Sequence, residues 1–199
     1  SVKVRKEIVS SHLGEKDIDP TQVTGKRLKP EELHSWYESG REFAIVDMRN
    51  DYEHTSGHFR NSTLPSLRNF RDLRDIVEKE LAPAGLKKKT VLTVCTGGVR
   101  CEEASGYLVS QGFDDVYQLD GGIVSYMEKY PGKDFLGSLY VFDGRVTMNF
   151  GNNEIIGQCR KCGAKTERYV NCSNSPCHKH FICCTSCAPD ENTVTCGEC

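Results

Sequence analysis

Thr90-Val91-Leu92-Thr93-Val94-Cys95-Thr96-Gly97-Gly98-Val99-Arg100-Cys101-Glu102 is the stretch on which the reading of this chain turns. Thr90 to Val94 is a β-branched, apolar run with the length and composition of a buried strand. A glycine-containing loop follows. A helical pattern then runs from about Glu102 to Gln111 and closes at Gly112. Cys95 therefore ends a strand, and in parallel α/β sheets sites lie just beyond the carboxyl ends of strands. Successive backbone N–H groups in such a loop form a nest for an anion, and the following helix adds its positive dipole end. Arg100 adds a full charge. All three favour thiolate over thiol at Cys95. Gly97 and Gly98 permit the backbone angles of a tight cradle, which Thr96 and Val99 complete. A buried cysteine that merely ends a strand is the plainer reading. The coincidence of strand, glycine pair, arginine and helix argues against it. Cys101 allows two readings, a resolving thiol for an oxidised Cys95 or a core-facing side chain.

Outward from this loop, strand and helix patterns alternate. Pro30 and the acids after it open a helix whose apolar face is Leu33, Trp36 and Tyr37. Phe43 to Arg49 reads as a second buried strand, with Asp47 and Arg49 at its exit. Residues 68–81 read as a helix with Phe70, Leu73, Ile76, Val77 and Leu81 on one side. Val116 to Leu119 is a third strand, and Gly121-Gly122 leads into a helix ending near Tyr130. The alternation predicts an α/β domain over 30–136 with a mostly parallel central sheet flanked by helices. Residues 1–29 read as a polar lead-in in which Val2, Val4, Ile8 and Val9 could form a short strand or brace. With no initiator Met, the start reads as a cut boundary of a longer protein. Residues 139–150 carry a hairpin signal, two alternating runs around Asp143-Gly144. The hairpin bridges to a C-terminal module, 137–199.

That module holds nine of the eleven cysteines, as Cys159-x2-Cys162, Cys172-x4-Cys177, Cys183-Cys184-x2-Cys187 and Cys196-x2-Cys199. Cys-x-x-Cys turns place two thiolates on one metal, and two such pairs complete a tetrahedral site. The expected ligands are Cys159, Cys162, Cys172, Cys177, Cys184, Cys187, Cys196 and Cys199, with zinc as the metal. The spacing does not say which pairs share an ion. His178 and His180 are alternative donors; disulfides, or iron–sulfur clusters, are the competing chemistry. The tail has few apolar residues (Tyr169, Val170, Phe181 and Ile182 are its core candidates), so it needs a staple to fold. Charge is balanced, 26 Lys+Arg against 28 Asp+Glu, which excludes nucleic-acid binding through bulk charge alone. Local candidates for phosphate contact are Arg68, Arg71, Arg74, Lys87, Lys88, Lys89, Arg160, Lys161, Lys165 and Arg168. No apolar run is long enough to span a bilayer, and no signal peptide opens the chain. A soluble cytoplasmic protein is expected. No flavin or nicotinamide fingerprint and no two-His-one-carboxylate iron site is visible.

The Cys95 loop resembles the active-site loop of rhodanese-fold sulfurtransferases, with Cys95 at the position of the persulfide-carrying cysteine. Four residues separate Cys95 from Arg100, where the related phosphatases have five, so the loop looks sized for sulfur rather than phosphate. Asp47-Met48-Arg49, then Tyr52-Glu53, then Gly57-His58-Phe59-Arg60-Asn61-Ser62 resemble the rhodanese pattern, as does Leu119-Asp120-Gly121-Gly122-Ile123. Asp47 and Arg49 would support the framework or line the loop's mouth, and His58 reads as structural. The lead Val4 to Val9, this loop, the hairpin with Val141-Phe142-Asp143 and Arg145, and the Cys-rich tail occur in an order similar to the bacterial tRNA uridine hydroxylase family. That resemblance implies oxygen-dependent 5-hydroxylation of the wobble uridine, tRNA as partner, Cys95 as the essential cysteine, and a further domain before this region. Oxidised or persulfide sulfur on Cys95, or thiolate addition at uridine C6, are two chemistries it admits. Sulfur transfer and a non-catalytic zinc interaction module are the other functions the sequence admits.

Overall fold

The computed structural model describes residues 9–14, 18–151 and 153–199. The expected brace over Val2, Val4 and Ile8 lies outside them. Val9 is described, and its N–H donates to Glu103 Oε1.

Four strands form a parallel sheet in the order β1 (Lys26–Leu28), β5 (Asp115–Leu119), β4 (Thr90–Val94), β2 (Ala44–Asp47). Neighbouring residues on each strand enter opposite cores, as the two-residue period requires. Val46 and Val91 face α2 (Leu73–Ile76) and α3 (Val99–Ser110), packing with Leu73, Ala104, Tyr107 and Leu108. Ile45, Leu92, Val94 and Leu119 face α1 (Pro30–Glu38) and α4 (Gly122–Lys129), packing with Leu33, Trp36, Ile123 and Tyr126. The result is the expected three-layer α/β domain. Its edge strand β1 comes from the stretch read as a polar lead-in. With only Leu28 of its three residues buried, β1 shows no strand pattern of its own; its backbone pairing with β5 makes it a strand.

Two expected elements differ in detail. The helix over 68–81 is irregular: a 3-10 turn at Phe70–Asp72, one α-helical turn, then a wider turn at Val77–Leu81. Helix α3 begins at Val99 rather than Glu102, so Arg100 and Cys101 sit in its first turn. Beyond the sheet, β3 (Gly57–Phe59) pairs antiparallel with β6 (Phe135–Gly137), tying residue 137 back to the α/β domain. The hairpin exists, but β7 (Leu139–Tyr140) and β8 (Thr147–Met148) pair over only two residues each, leaving a six-residue arm with Asp143 and Gly144 at its tip.

The C-terminal module is built on an antiparallel pair, β9 (Tyr169–Asn171) with β10 (His180–Ile182). Val170 and Phe181 turn inward, onto the cysteines, Ala188 and Val194. Tyr169 and Ile182 turn the other way, onto Tyr140. The Tyr169 hydroxyl donates to the Tyr52 carbonyl (2.7 Å) and lies 2.9 Å from Thr55 Oγ1. One short hairpin thus builds the module's core with one face and docks on the α/β domain with the other. No helix among the described residues is long and apolar enough to cross a membrane.

Candidate active site and Cys-rich clusters

Cys95 follows β4, and the loop after it is gripped from two sides. Its carbonyl accepts the Ile123 N–H (2.9 Å) and the Thr96 carbonyl accepts that of Val124 (3.1 Å), so the start of α4 is bonded directly to the loop. This approach explains the second glycine pair. A Cβ on Gly122, whose φ is +67°, would lie 2.6–2.7 Å from Gly98 N, Thr96 O and Cys95 O. Gly98 precedes α3 at φ +91°, in the left-handed region that L side chains avoid. Gly97 has open space around its Cβ direction and needs no special conformation. Val99 stands half exposed at the rim. The N-termini of two helices therefore meet at the Cys95 loop: α3 opens directly from it, with the Arg100 and Cys101 N–H groups on the thiol, and α4 binds its carbonyls.

Cys95 is buried, and its pKa falls to about 6. The thiol of Cys101 hydrogen-bonds to it and is the largest influence. Burial opposes ionisation, while the charge of Arg100 and the backbone N–H groups of Cys101 and Arg100 favour it. Cys101 is fully buried, and burial together with the negative charge on Cys95 pushes its own pKa well up, so it remains the proton donor of the pair. Cys101 lies in the core, as one of its two sequence readings has it, and its thiol hydrogen-bonds that of Cys95.

Arg100 does not present a free charge to the loop. Its guanidinium forms a two-pronged ion pair with Glu53, at 2.6 and 2.8 Å, and Nη2 lies 3.4 Å from Thr96 Oγ1. Glu53 is fully buried and also accepts the Asn50 N–H. Behind it lie Asp47 and Arg49, both fully buried: Arg49 donates to the Asp47 carboxylate at 2.6–3.1 Å, to the Gly57 carbonyl at 2.7 Å and to the Glu53 carbonyl at 3.3 Å. Burial pushes Asp47 up, and the Arg49 guanidinium more than offsets this, so its carboxyl lies below the ordinary range. Asp47 and Arg49 brace the exit of β2, and through Glu53 they fix Arg100. Glu53 is the residue that the sequence reading missed as a site member. Its only signal was its place in the Tyr52-Glu53 element of the rhodanese pattern. His58 Nδ1 lies against the His54 carbonyl at 3.1 Å.

The tail cysteines gather into two groups, Cys159, Cys162, Cys184, Cys187 and Cys172, Cys177, Cys196, Cys199, each with its sulfurs within 4.8 Å of one another. The pairing is interleaved along the chain, which spacing alone left open. All eleven cysteines are free. Sulfur separations of 3.6–3.7 Å within the groups are close to the edge of a tetrahedron with metal–sulfur bonds of about 2.3 Å, some 3.8 Å, and far from the disulfide length of about 2.05 Å. Both groups can hold a metal ion. Cys183 belongs to neither group, and neither does His178 or His180. His180 instead bonds Asn171 Oδ1 and the Tyr140 hydroxyl and stacks on Tyr169.

Of the basic residues singled out as phosphate contacts, Arg68 and Arg160 line one cleft between the α/β domain and the Cys-rich module. Arg74 pairs with Glu78, Lys88 with Asp114, and Lys165 with Glu154; Arg168 bonds the Cys183 and Ala188 carbonyls.

Residues 29–129 match the Rhodanese-like domain family, and residues 136–199 match the family described as Rhodanase C-terminal. The chain is 44% identical over its whole length to a protein of Cytophaga hutchinsonii named tRNA uridine(34) hydroxylase, of which it spans 62%. It is 42% identical to the protein of the same name from Corynebacterium kroppenstedtii, spanning 69% of it. A rhodanese-like domain protein from Staphylococcus aureus is 26% identical, with 51% of this chain and 90% of that one covered at a TM-score of 0.43. The chain therefore belongs to the rhodanese-like family, and within it to the group of proteins named tRNA uridine(34) hydroxylase.

Proposed function

We propose that this chain carries the reactive part of an enzyme that hydroxylates C5 of the wobble uridine of tRNA in an oxygen-dependent reaction, with Cys95 as its reacting group. The observation that carries the reading is the buried Cys95 thiolate, hydrogen-bonded by Cys101 and by the first N–H groups of α3, in a loop whose backbone α4 grips. The name its relatives carry, tRNA uridine(34) hydroxylase, supplies the substrate and the base. A sulfur nucleophile that is ionised at neutral pH is the reactive group that the described loop offers to a uridine. Arg100, held by Glu53, keeps Thr96, Gly97, Gly98 and Val99 in the loop conformation, while Cys101 keeps the thiolate hydrogen-bonded. Asp47 and Arg49 support this assembly from behind. Such an enzyme works on tRNA in the cytoplasm.

Zinc is the metal we assign to the two tetrathiolate groups. Four thiolates at tetrahedral spacing, with no open position, suit a structural site. When bound, the metal supplies cross-linking between the interleaved turns of a module with a very small apolar core.

The test is nucleoside mass spectrometry of bulk tRNA from cells lacking this protein, complemented with wild type or Cys95→Ser. Loss of 5-hydroxyuridine and its derivatives, restored by wild type alone, is the expected result. Unchanged tRNA in the deletion, with no paralogue covering for it, removes the hydroxylase reading. Sulfur transfer from thiosulfate or a protein persulfide to a thiol acceptor is the second reading, favoured by the four-residue spacing from Cys95 to Arg100. Sulfur transfer by purified protein, with tRNA unaffected in the deletion, would establish it.

A further inference from the structure

Phe142 is a large apolar side chain left in solvent next to the Cys95 loop. It is 64% exposed. Its ring stands 6.0 Å from the Arg100 guanidinium and 5.2 Å, edge-on, from the ring of Tyr140. Tyr140 is itself wedged against Tyr52 and Tyr169. The arm that carries Phe142 is not relaxed. Val141 N–H bonds the Val146 carbonyl at 2.8 Å, and Val146 has φ +68°, a conformation β-branched residues rarely adopt. Val146 packs against the Tyr140, Tyr169 and Ile182 cluster, so tertiary packing imposes the arm's shape. An exposed ring is thus held in one position by enforced backbone geometry.

Phe142 borders a cleft of about 1120 Å³ between the α/β domain and the Cys-rich module. That is larger than the roughly 300–1,000 Å³ of ordinary small-molecule sites. Tyr52, Tyr140 and His180 line it with aromatic rings, and Arg68, Arg160 and Lys179 line it with cations. Glu198 takes both Arg160 and Lys179. Arg68 has no ion pair among the described residues and carries its charge into the cleft. Rings for stacking with cations along the wall are the composition of grooves for unpaired nucleotides. Specific RNA recognition relies on such splayed bases, because the deep groove of an RNA duplex is closed to side chains.

We infer that a single-stranded RNA loop lies in this cleft, with the target base stacked on Phe142 at the mouth of the Cys95 loop and a neighbouring phosphate on Arg68. The inference rests on the RNA-modifying reading and adds to it the face that the RNA uses and the side chain that positions the base. Phe142 would act as a binding residue: it sits over Arg100, one side chain removed from the thiol.

The experiment is fluorescence anisotropy with a labelled anticodon stem–loop RNA, using the chain as it stands. Removing one stacking partner costs about 1–3 kcal/mol per base, so Phe142→Ala should weaken binding roughly 5- to 150-fold. Phe142→Trp should keep the affinity. Arg68→Gln should reduce the slope of log affinity against log salt by about 0.7 to 0.9. Both positions are exposed, and unchanged thermal midpoints would separate lost binding from lost folding. Equal affinity of wild type and Phe142→Ala overturns the inference alone and leaves the tRNA reading standing. No binding by the wild-type chain counts against both.

Discussion

At the scale of the residue, the site is a division of labour between two thiols. Cys101 keeps its proton and donates; Cys95 gives its proton up. Alkylation of Cys95, followed by mass spectrometry of its peptide, should therefore rise with pH around a midpoint of about 6. Cys101→Ala removes the largest stabilising influence and should move that midpoint upward, slowing alkylation at neutral pH; an unmoved midpoint would refute this account of the thiolate. The same shift has a sign in stability. The folded pKa lies below the unfolded one, so the unfolded chain binds more protons between about pH 9 and about pH 6. Cys95 contributes stability that is present above that window and is lost as pH falls through it. The difference in denaturation midpoint between wild type and Cys95→Ser should shrink across the window. Arg100 gives a second residue-scale prediction. Glu53→Gln leaves a buried guanidinium half-paired and should destabilise the fold by about 3–5 kcal/mol, measured by urea unfolding, while pushing the Cys95 midpoint further down. The charge of Arg100 was legible in sequence, because it is adjacent to the loop. Its neutralisation was not, because Glu53 lies 47 positions away and only the fold brings the two together.

At the scale of the element, the strands and helices of the central sheet were legible where burial imposes a period, as in Thr90–Val94 with four buried residues in succession. They were illegible where backbone pairing alone makes the element. β1 buries one side chain, so no pattern of three residues could announce it. The helical pattern in the sequence begins only at Glu102, three residues inside α3, because Val99, Arg100 and Cys101 have side chains that serve a site rather than an amphipathic face. The glycine pair before α4 has the opposite character. Gly122 is what permits a helix start to lie against the Cys95 loop, with three backbone atoms inside 3 Å of where a Cβ would be. Gly122→Ala should therefore push α4 off the loop as well as strain a left-handed residue. We expect a loss of more than about 1 kcal/mol in stability, together with slower Cys95 alkylation at neutral pH. Loss of stability with alkylation intact would show that the α4 contact braces the fold without shaping the thiolate.

At the scale of the whole molecule, the Cys-rich module contributes one wall of the cleft, and its two cysteine groups can each hold a metal ion. The eight-cysteine set was readable from spacing, but not the partnering of its turns. Interleaving is a property of the β9–β10 hairpin, which brings turns from both ends of the module together. Cys183 and Cys184 make the sharpest test of that partnering. Cys184 belongs to a tetrathiolate group and Cys183 does not, although Cys183 is fully buried with its sulfur 3.8 Å from Cys159. Zinc released by a thiol-modifying reagent and read with a colorimetric chelator should be two equivalents for wild type and for Cys183→Ala, and one for Cys184→Ala. Equal stoichiometry in the two variants would overturn the partnering. Removing the metal should also act at a distance. Tyr169 and Ile182 dock on Tyr140 from the outer face of the hairpin whose inner face holds the cysteines, so a module that loses its cross-links loses that outer face as well. The central sheet and the Cys95 loop draw their cores from other residues. Chelated protein should therefore keep its Cys95 alkylation profile while losing affinity for RNA. Loss of both together would mean that the Cys-rich module supports the thiolate site itself.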